Sequence, residues 1–249
     1  NYLGRGNVAP GEATIASELK KAEYATCQLE KWHVEYKEGA NPPQSGFDEF
    51  HHVRLANNYP DPVVNENGTE KTYHGGYGPK VCQDFAFDFI ARHKESLFFL
   101  YYAMHLPHAP FHVPPGSDLA ADASDIQKYL AMVEHQDFMV GELVGYLESL
   151  NLQERTLLIF IGDNGTPKEI VYQSGGREVR GGKATLLDSG TNVPMIVSWP
   201  GTAPEGVVTD DLIDFADFLP TALEAADLKP GKAMNLSGQS FYRQLLGDP

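Results

Sequence analysis

Apolar positions in this chain recur at two spacings, helical and alternating or continuous, and the succession of the two defines its expected elements. Thr14 can open a helix through about Ala22, with Ile15, Ala16 and Leu19 on one side, and Tyr24 to Leu29 then reads as a short strand. From Lys37 to Lys80 the chain is rich in Gly, Pro and Asn without a sustained period, which predicts a long surface excursion. Helical spacing returns at Gln83 to Lys94. The strand Leu97 to Ala103 follows, then a loop rich in Pro and His through Gly116. A long amphipathic helix is expected over about Ser124 to Leu150, and the next strand at Thr156 to Ile161. Beyond a Gly-rich passage from Gly175 to Gly190, Val193 to Trp199 reads as a strand and Asp214 to Ala226 as a helix. The tail from Lys229 carries too few signals to assign.

Strands alternating with helices imply an α/β sandwich, a central and mostly parallel sheet flanked by helices. Sites in such sheets lie beyond the carboxyl ends of strands. The loops after Leu29, Ala103 and Ile161 all occupy that place.

The 249 residues, 42% of them hydrophobic, can bury a substantial core and suit one large domain or one with a small appendage. No apolar run approaches the roughly 20 residues that cross a bilayer. A net charge of −15 argues against nucleic acid, because neutralising a phosphate backbone needs clustered Lys and Arg. An anionic ligand would instead need a few cations gathered locally. Cys27 and Cys82 show neither CxxC spacing nor a disulfide framework and are expected to be inert. The chain begins at Asn1 without Met or a signal-like stretch, so an upstream segment is expected to have been removed or left out. Oligomeric state has no signature here.

Four stretches could carry chemistry. In Ile159-Phe160-Ile161-Gly162-Asp163-Asn164-Gly165 an apolar strand delivers two oxygen-bearing side chains into a glycine turn; Asp163 and Asn164 suit Ca²⁺ or Mg²⁺ better than zinc, or form an ordinary turn. Lys31-Trp32-His33 puts a cation and an imidazole on one side of an extended segment, where they grip one anion or simply face solvent. In His105-Leu106-Pro107-His108-Ala109-Pro110, prolines stiffen the backbone around His108, which suits a general acid; His105 is either chemical or structural, bonding a neighbouring carbonyl. Gly181-Gly182-Lys183 presents an ammonium on a loop whose backbone can approach an oxyanion, or a solvated loop. Gly46-Phe47-Asp48-Glu49-Phe50 reads as packing.

Taken in order, these segments resemble the sulfatase family, the formylglycine-dependent branch of the alkaline phosphatase superfamily. The resemblance runs through Lys31-Trp32-His33, Gly46-Phe47-Asp48, Pro107-His108-Ala109-Pro110, Gly162-Asp163-Asn164-Gly165, and Gly182-Lys183 through Asp188, Gly190 and Val193-Pro194 to Trp199-Pro200-Gly201. It implies an alkaline phosphatase-like fold, hydrolysis of a sulfate monoester of a sugar or aryl alcohol, and a periplasmic or secreted location. Asp163 and Asn164 would be two ligands of one Ca²⁺. Lys183 would hold a sulfate oxygen, and Lys31 would contact both sulfate and the aldehyde-derived nucleophile. His33 would orient or deprotonate that nucleophile, and His108 would donate to the departing alcohol oxygen. Lys31, His108 and Lys183 thus bind substrate as well as act in catalysis. Loops such as Asn57 to Gly78 and Gln173 to Val179 would line the leaving-group pocket.

The chain also departs from the pattern. Glu30 stands where the family usually has Gly, and Asp188, Ser189 and Thr191 replace the commoner Glu, Gly and Arg. Glu30, next to Lys31 in an extended chain, is expected to point away from the pocket. The Cys- or Ser-x-Pro-x-Arg motif that carries the formylglycine precursor is absent, as are the paired Asp residues that complete the calcium shell. Two oxygen ligands fall short of the roughly six to eight that calcium takes. Residues 1–249 are therefore expected to form one partial catalytic domain lacking its N-terminal part and first strand, inactive alone, with roughly 229–249 starting a C-terminal subdomain. The alternatives are a non-catalytic protein that binds sulfated glycans, or a phosphodiesterase or phosphatase of the same superfamily, although no adjacent Asp-His pair accompanies Asp163.

Overall fold

Thr14 starts the first helix by a reciprocal cap: its Oγ1 accepts from the Ser17 amide at 3.0 Å while Ser17 Oγ accepts from the Thr14 amide at 2.9 Å. The computed structural model describes residues 8–34, 39–53, 59–231 and 234–247; Lys37 and Asn57, where two of the expected loops begin, lie outside them. Helix α1 (Ile15–Lys21) buries Ala16 and Leu19 and feeds β1 (Ala25–Glu30), buried at every position after the first. β2 (Glu49–Val53), β3 (Val63–Glu66) and β4 (Thr69–Thr72) precede α2 (Gly78–His93), β5 (Phe98–Ala103) and α3 (Asp125–Ser149). Then come β6 (Leu158–Ile161), the hairpin β7 (Val171–Ser174) and β8 (Arg177–Arg180), α4 (Asp188–Thr191), β9 (Met195–Ser198), α5 (Phe218–Ala225) and α6 (Tyr242–Leu245).

The main sheet has the order β4-β3-β2-β1-β5. β1 runs parallel to β2 and β5 on its two sides, with Glu30 level with His52 and with Ala103, and β3 and β4 extend the edge in antiparallel sense. The fold is α/β, with the parallel strands β2, β1 and β5 side by side. Helix α2 covers one face: Ala86 and Phe89 pack on Cys27 and Leu29. Full burial of a side chain such as Leu29 or Phe89 is worth roughly 1.5–3 kcal/mol. Phe98 and Leu100 of β5 and Leu158 of β6 lie over one cluster of Ile90, Leu147 and Leu152, so β5 and β6 share a layer. They do not pair with each other: among the described residues β5 pairs with β1, and β6 with β9.

The expected surface excursion from Lys37 to Lys80 is corrected by the structure, because it holds three strands of the sheet. Periodicity missed β2 because Glu-Phe-His-His-Val reads as polar yet is buried in four of its five positions. Arg92 donates to Glu49 Oε1 and Oε2 at 2.8 and 2.7 Å, and the His51 ring stacks on Phe85 at 3.9 Å. The β3–β4 turn is Asn67-Gly68, both at positive φ, as a two-residue hairpin requires. The Gly-rich passage likewise contains β8 and turns through Gly175 and Gly176 at φ +57 and +75.

Cys27 and Cys82 are buried and unpaired, and burial pushes both thiols up. The last described segment returns onto α5, where the Phe241 amide donates to Thr221 Oγ1 at 3.0 Å and the Phe241 ring meets Phe218. No helix among the described residues is long and apolar enough to cross a membrane.

Candidate functional site

Three parallel or co-layered strands bring their carboxyl ends to one rim. At the end of β1 the chain turns through Glu30, whose φ of +71 is a conformation that suits glycine. The Lys31 amide then donates to Ala103 O at 3.1 Å, and the fully buried Gln28 donates from Nε2 to Lys31 O at 3.1 Å. Trp32 sets its ring edge-on to Phe47 at 5.8 Å and donates from Nε1 to Ala40 O at 3.3 Å. Phe47 stacks on Phe99 and Tyr101, and Asp48 accepts from Thr26 and pairs with Lys20, so Gly46 to Phe50 is packing as expected.

The loop after β5 separates its histidines by role. His105 is buried, with Nδ1 3.1 Å from Glu30 Oε1, so on the structural alternative its Nδ1 partner is a carboxylate and not a carbonyl. Glu30 leaves the line of the strand through this left-handed turn and lies in the interior. His108 is half-buried. Its amide donates to His105 O at 2.7 Å, and Tyr59 OH donates to His108 O at 2.7 Å. His108 Nδ1 lies 2.7 Å from Ala109 O, an atom that only accepts, so Nδ1 carries the proton and Nε2 is left for a ligand. His112 bonds Tyr77 through Nε2 and packs on Tyr59, a structural ring.

Asp163 and Asn164 follow β6 directly. Asp163 is exposed, Asn164 half-buried. Glycines let the surrounding segments press together: a β-carbon on Gly165 would sit 1.9 Å from Ser189 O, on Gly190 2.3 Å from Gly182 O, and on Gly181 2.0 Å from Pro167 O. With the Gly165 amide bonded to Gly190 O at 3.1 Å and the Lys183 amide to Thr166 O at 3.0 Å, Lys183 is delivered beside the Asp163 turn.

The charged groups of these loops act on one another. Lys31 Nζ lies 4.0 Å from Asp163 Oδ2. Partial desolvation, then Lys31, His105 and His108, hold His33 below the ordinary histidine range, although the residue is exposed. Burial lowers His108 most; Lys183, Lys31 and His105 lower it further, against the Ala109 carbonyl. Burial also lowers Lys183, with Asp163 pulling it back up and Lys31 pushing it down. Lys31, His33, His108, Asp163 and Lys183 are thus neighbours, and Asn164 adjoins them. Sequence reasoning missed the Glu30–His105 pair and Tyr59, whose roles depend on a positive φ and on contacts between distant segments.

The chemistry of Asp163 and Asn164 fits two positions around a hard cation. Among the described residues no three His, Cys, Asp or Glu side chains gather as a metal shell.

A family model described as Sulfatase matches residues 1–228. The chain belongs to the sulfatase family. N-acetylgalactosamine-6-sulfatase of Canis lupus familiaris is 28% identical over 265 residues, covering 97% of this chain and 50% of that protein. Arylsulfatase A of Homo sapiens is 29% identical over 275 residues, covering 98% of this chain and 53% of that protein. The chain spans about half the length of the curated relatives it matches. Among solved structures, the PsFucS1 sulfatase from Pseudoalteromonas sp. superposes with a TM-score of 0.74 at 22% identity, over 99% of this chain and 59% of that one. BT4656, solved in complex with its substrate D-glucosamine-2-N,6-O-disulfate, gives 0.77 at 18% identity, over 98% and 66%. These likenesses establish the α/β, alkaline phosphatase-like sulfatase fold.

Proposed function

We propose that this chain supplies the sulfate-holding part of a sulfuric ester hydrolase acting on a sulfate monoester of a sugar or aryl alcohol. The observation that carries the reading is the meeting of Lys31, His33, His108 and Lys183 beside Asp163 in a chain whose net charge is −15. Two lysines concentrated against the overall charge on half-buried positions, with two imidazoles beside them, are what a tetrahedral anion needs. Lys183 and Lys31 offset charge on the sulfuryl oxygens. His33 stands over the nucleophile's side of the group, and His108 Nε2 meets the alcohol oxygen. Since Nδ1 is committed to Ala109 O, Nε2 donates only when the ring is an imidazolium, so anion binding and protonation of His108 favour each other.

Asp163 and Asn164 would hold a calcium ion, which supplies further positive charge to the sulfuryl oxygens when bound. No Cys or Ser followed by x-Pro-x-Arg occurs among the 249 residues, so the reading gives this chain binding and charge offset, and no covalent step. A periplasmic or secreted location goes with it. A second reading, a non-catalytic binder of sulfated glycans, uses the same cluster of Lys31, His108 and Lys183 without hydrolysis.

The test is sulfate monoester binding by the chain, followed by an aryl sulfate turnover assay on the longest form its gene encodes. Binding with turnover in the longest form supports the hydrolase, and binding without turnover there supports the binder. No binding of a sulfate monoester at millimolar concentration contradicts both.

A further inference from the structure

Glu30 occupies a position that disfavours it twice. Its φ of +71 crowds any β-carbon, and its side chain is 1% exposed, where a carboxylate is unfavourable unless paired. Oε1 has such a partner in His105 Nδ1 at 3.1 Å; Oε2 meets no hydrogen-bond partner among the described residues. The hydroxyls around it are committed elsewhere: Tyr59 to the carbonyls of His105 and His108, Tyr77 to His112, and Tyr102 to Pro79 O. Among the described residues, the side chain acts through its contact with His105.

That contact links two site residues. Glu30 precedes Lys31, and the turn through Glu30 sets where Lys31 leaves the sheet. His105 accepts from the His108 amide through its carbonyl at 2.7 Å, so its ring anchors the turn that presents His108. Tyr59 and Gln136 hold the carbonyls of this turn, Gln136 Nε2 donating to Leu106 O at 2.9 Å, and the His105 ring ties it to β1.

We propose that Glu30 is a positioning residue: paired with His105, it fastens the ends of β1 and β5 together and so sets the separation of Lys31 and His108 across the bound anion. The proposal rests on the sulfate-holding reading above. Glu30 touches no substrate and acts through its neighbours.

Glu30→Gly relieves the backbone and removes the buried carboxylate, whereas Glu30→Gln keeps an oxygen that can accept from His105. Measured on the whole chain, Glu30→Gly is expected to unfold in denaturant no earlier than the parent. It should nevertheless bind inorganic sulfate about tenfold more weakly and move the His108 ring resonances. Glu30→Gln should restore most of both. A glycine variant with parental sulfate affinity and unmoved His108 resonances overturns the proposal. If Glu30→Gly does not fold, His105→Asn, which keeps a side-chain N–H donor, against His105→Leu decides: weaker binding in the leucine variant alone supports it, equal binding overturns it. If the parent binds no sulfate, the functional reading fails on its own account, and the His108 resonances of the Glu30 variants decide whether the positioning role stands.

Discussion

Lys31 Nζ and Asp163 Oδ2 stand 4.0 Å apart, although one residue follows β1 and the other β6, strands that belong to different ladders. The pair marks the line along which the cationic side of the site and the proposed metal-holding side would meet. With Asp163 mostly exposed and Lys31 mostly covered, the pair contributes little stability and leaves Lys31 available to an anion.

Removing either lysine should therefore cost binding and spare the fold. Lys183→Ala and Lys31→Ala are each expected to lower inorganic sulfate affinity roughly 10- to 100-fold, the loss of about 1.5–3 kcal/mol from a charge-assisted contact. Calorimetric titration checks this, with the thermal midpoint as the control. Unchanged affinity in both variants would remove the lysines from the site.

The histidines give a pH signature. His33 and His108 are both held below the ordinary value of about 6.5, so as pH falls the unfolded chain takes up protons first. Stability from these two rings is present above about 6.5 and is lost as pH drops through the folded values. Added sulfate should raise the His108 midpoint, because the anion favours the imidazolium. Ring-proton NMR titration with and without sulfate reads both effects; a His108 midpoint above the ordinary value in free protein contradicts the account.

The glycine crossing behind Lys183 is testable separately. Gly190→Ala forces a β-carbon to within 2.3 Å of Gly182 O, a backbone atom that has to shift. The variant should be destabilised by about 1–3 kcal/mol and should bind sulfate more weakly. Gly145→Ala, where an added carbon meets nothing within 4 Å, should do neither. Chemical denaturation of the two variants makes the comparison.

Asp163 and Asn164 should confer weak affinity for a hard cation, in the range of about 10⁻⁴ to 10⁻³ M or weaker, lost in Asp163→Ala. Calcium titration by calorimetry reads it. Tight zinc binding that survives Asp163→Ala would reassign the metal chemistry.

What the sequence shows of this molecule follows from where physical causes are local. β1, β5 and α3 are legible because their apolar residues meet one core at regular spacing. β2 is not, because Glu49 is paired by Arg92 and His51 is covered by Phe85, partners distant in sequence. In the site, Lys31, His108, Asp163 and Lys183 are legible because they sit in loops that strand ends or glycines place. The Glu30–His105 pair is hidden, since sequence spacing alone does not reveal that Glu30 turns left-handed and faces inward.

The central claim is that one anion is held jointly by groups from the ends of β1, β5 and the glycine loop. Sulfate titration followed by the histidine ring resonances tests it most directly. The account predicts that His33 and His108 shift together with one affinity, that Lys183→Ala weakens both shifts, and that His51 and His93 stay still. Independent or absent shifts at His33 and His108 would contradict it.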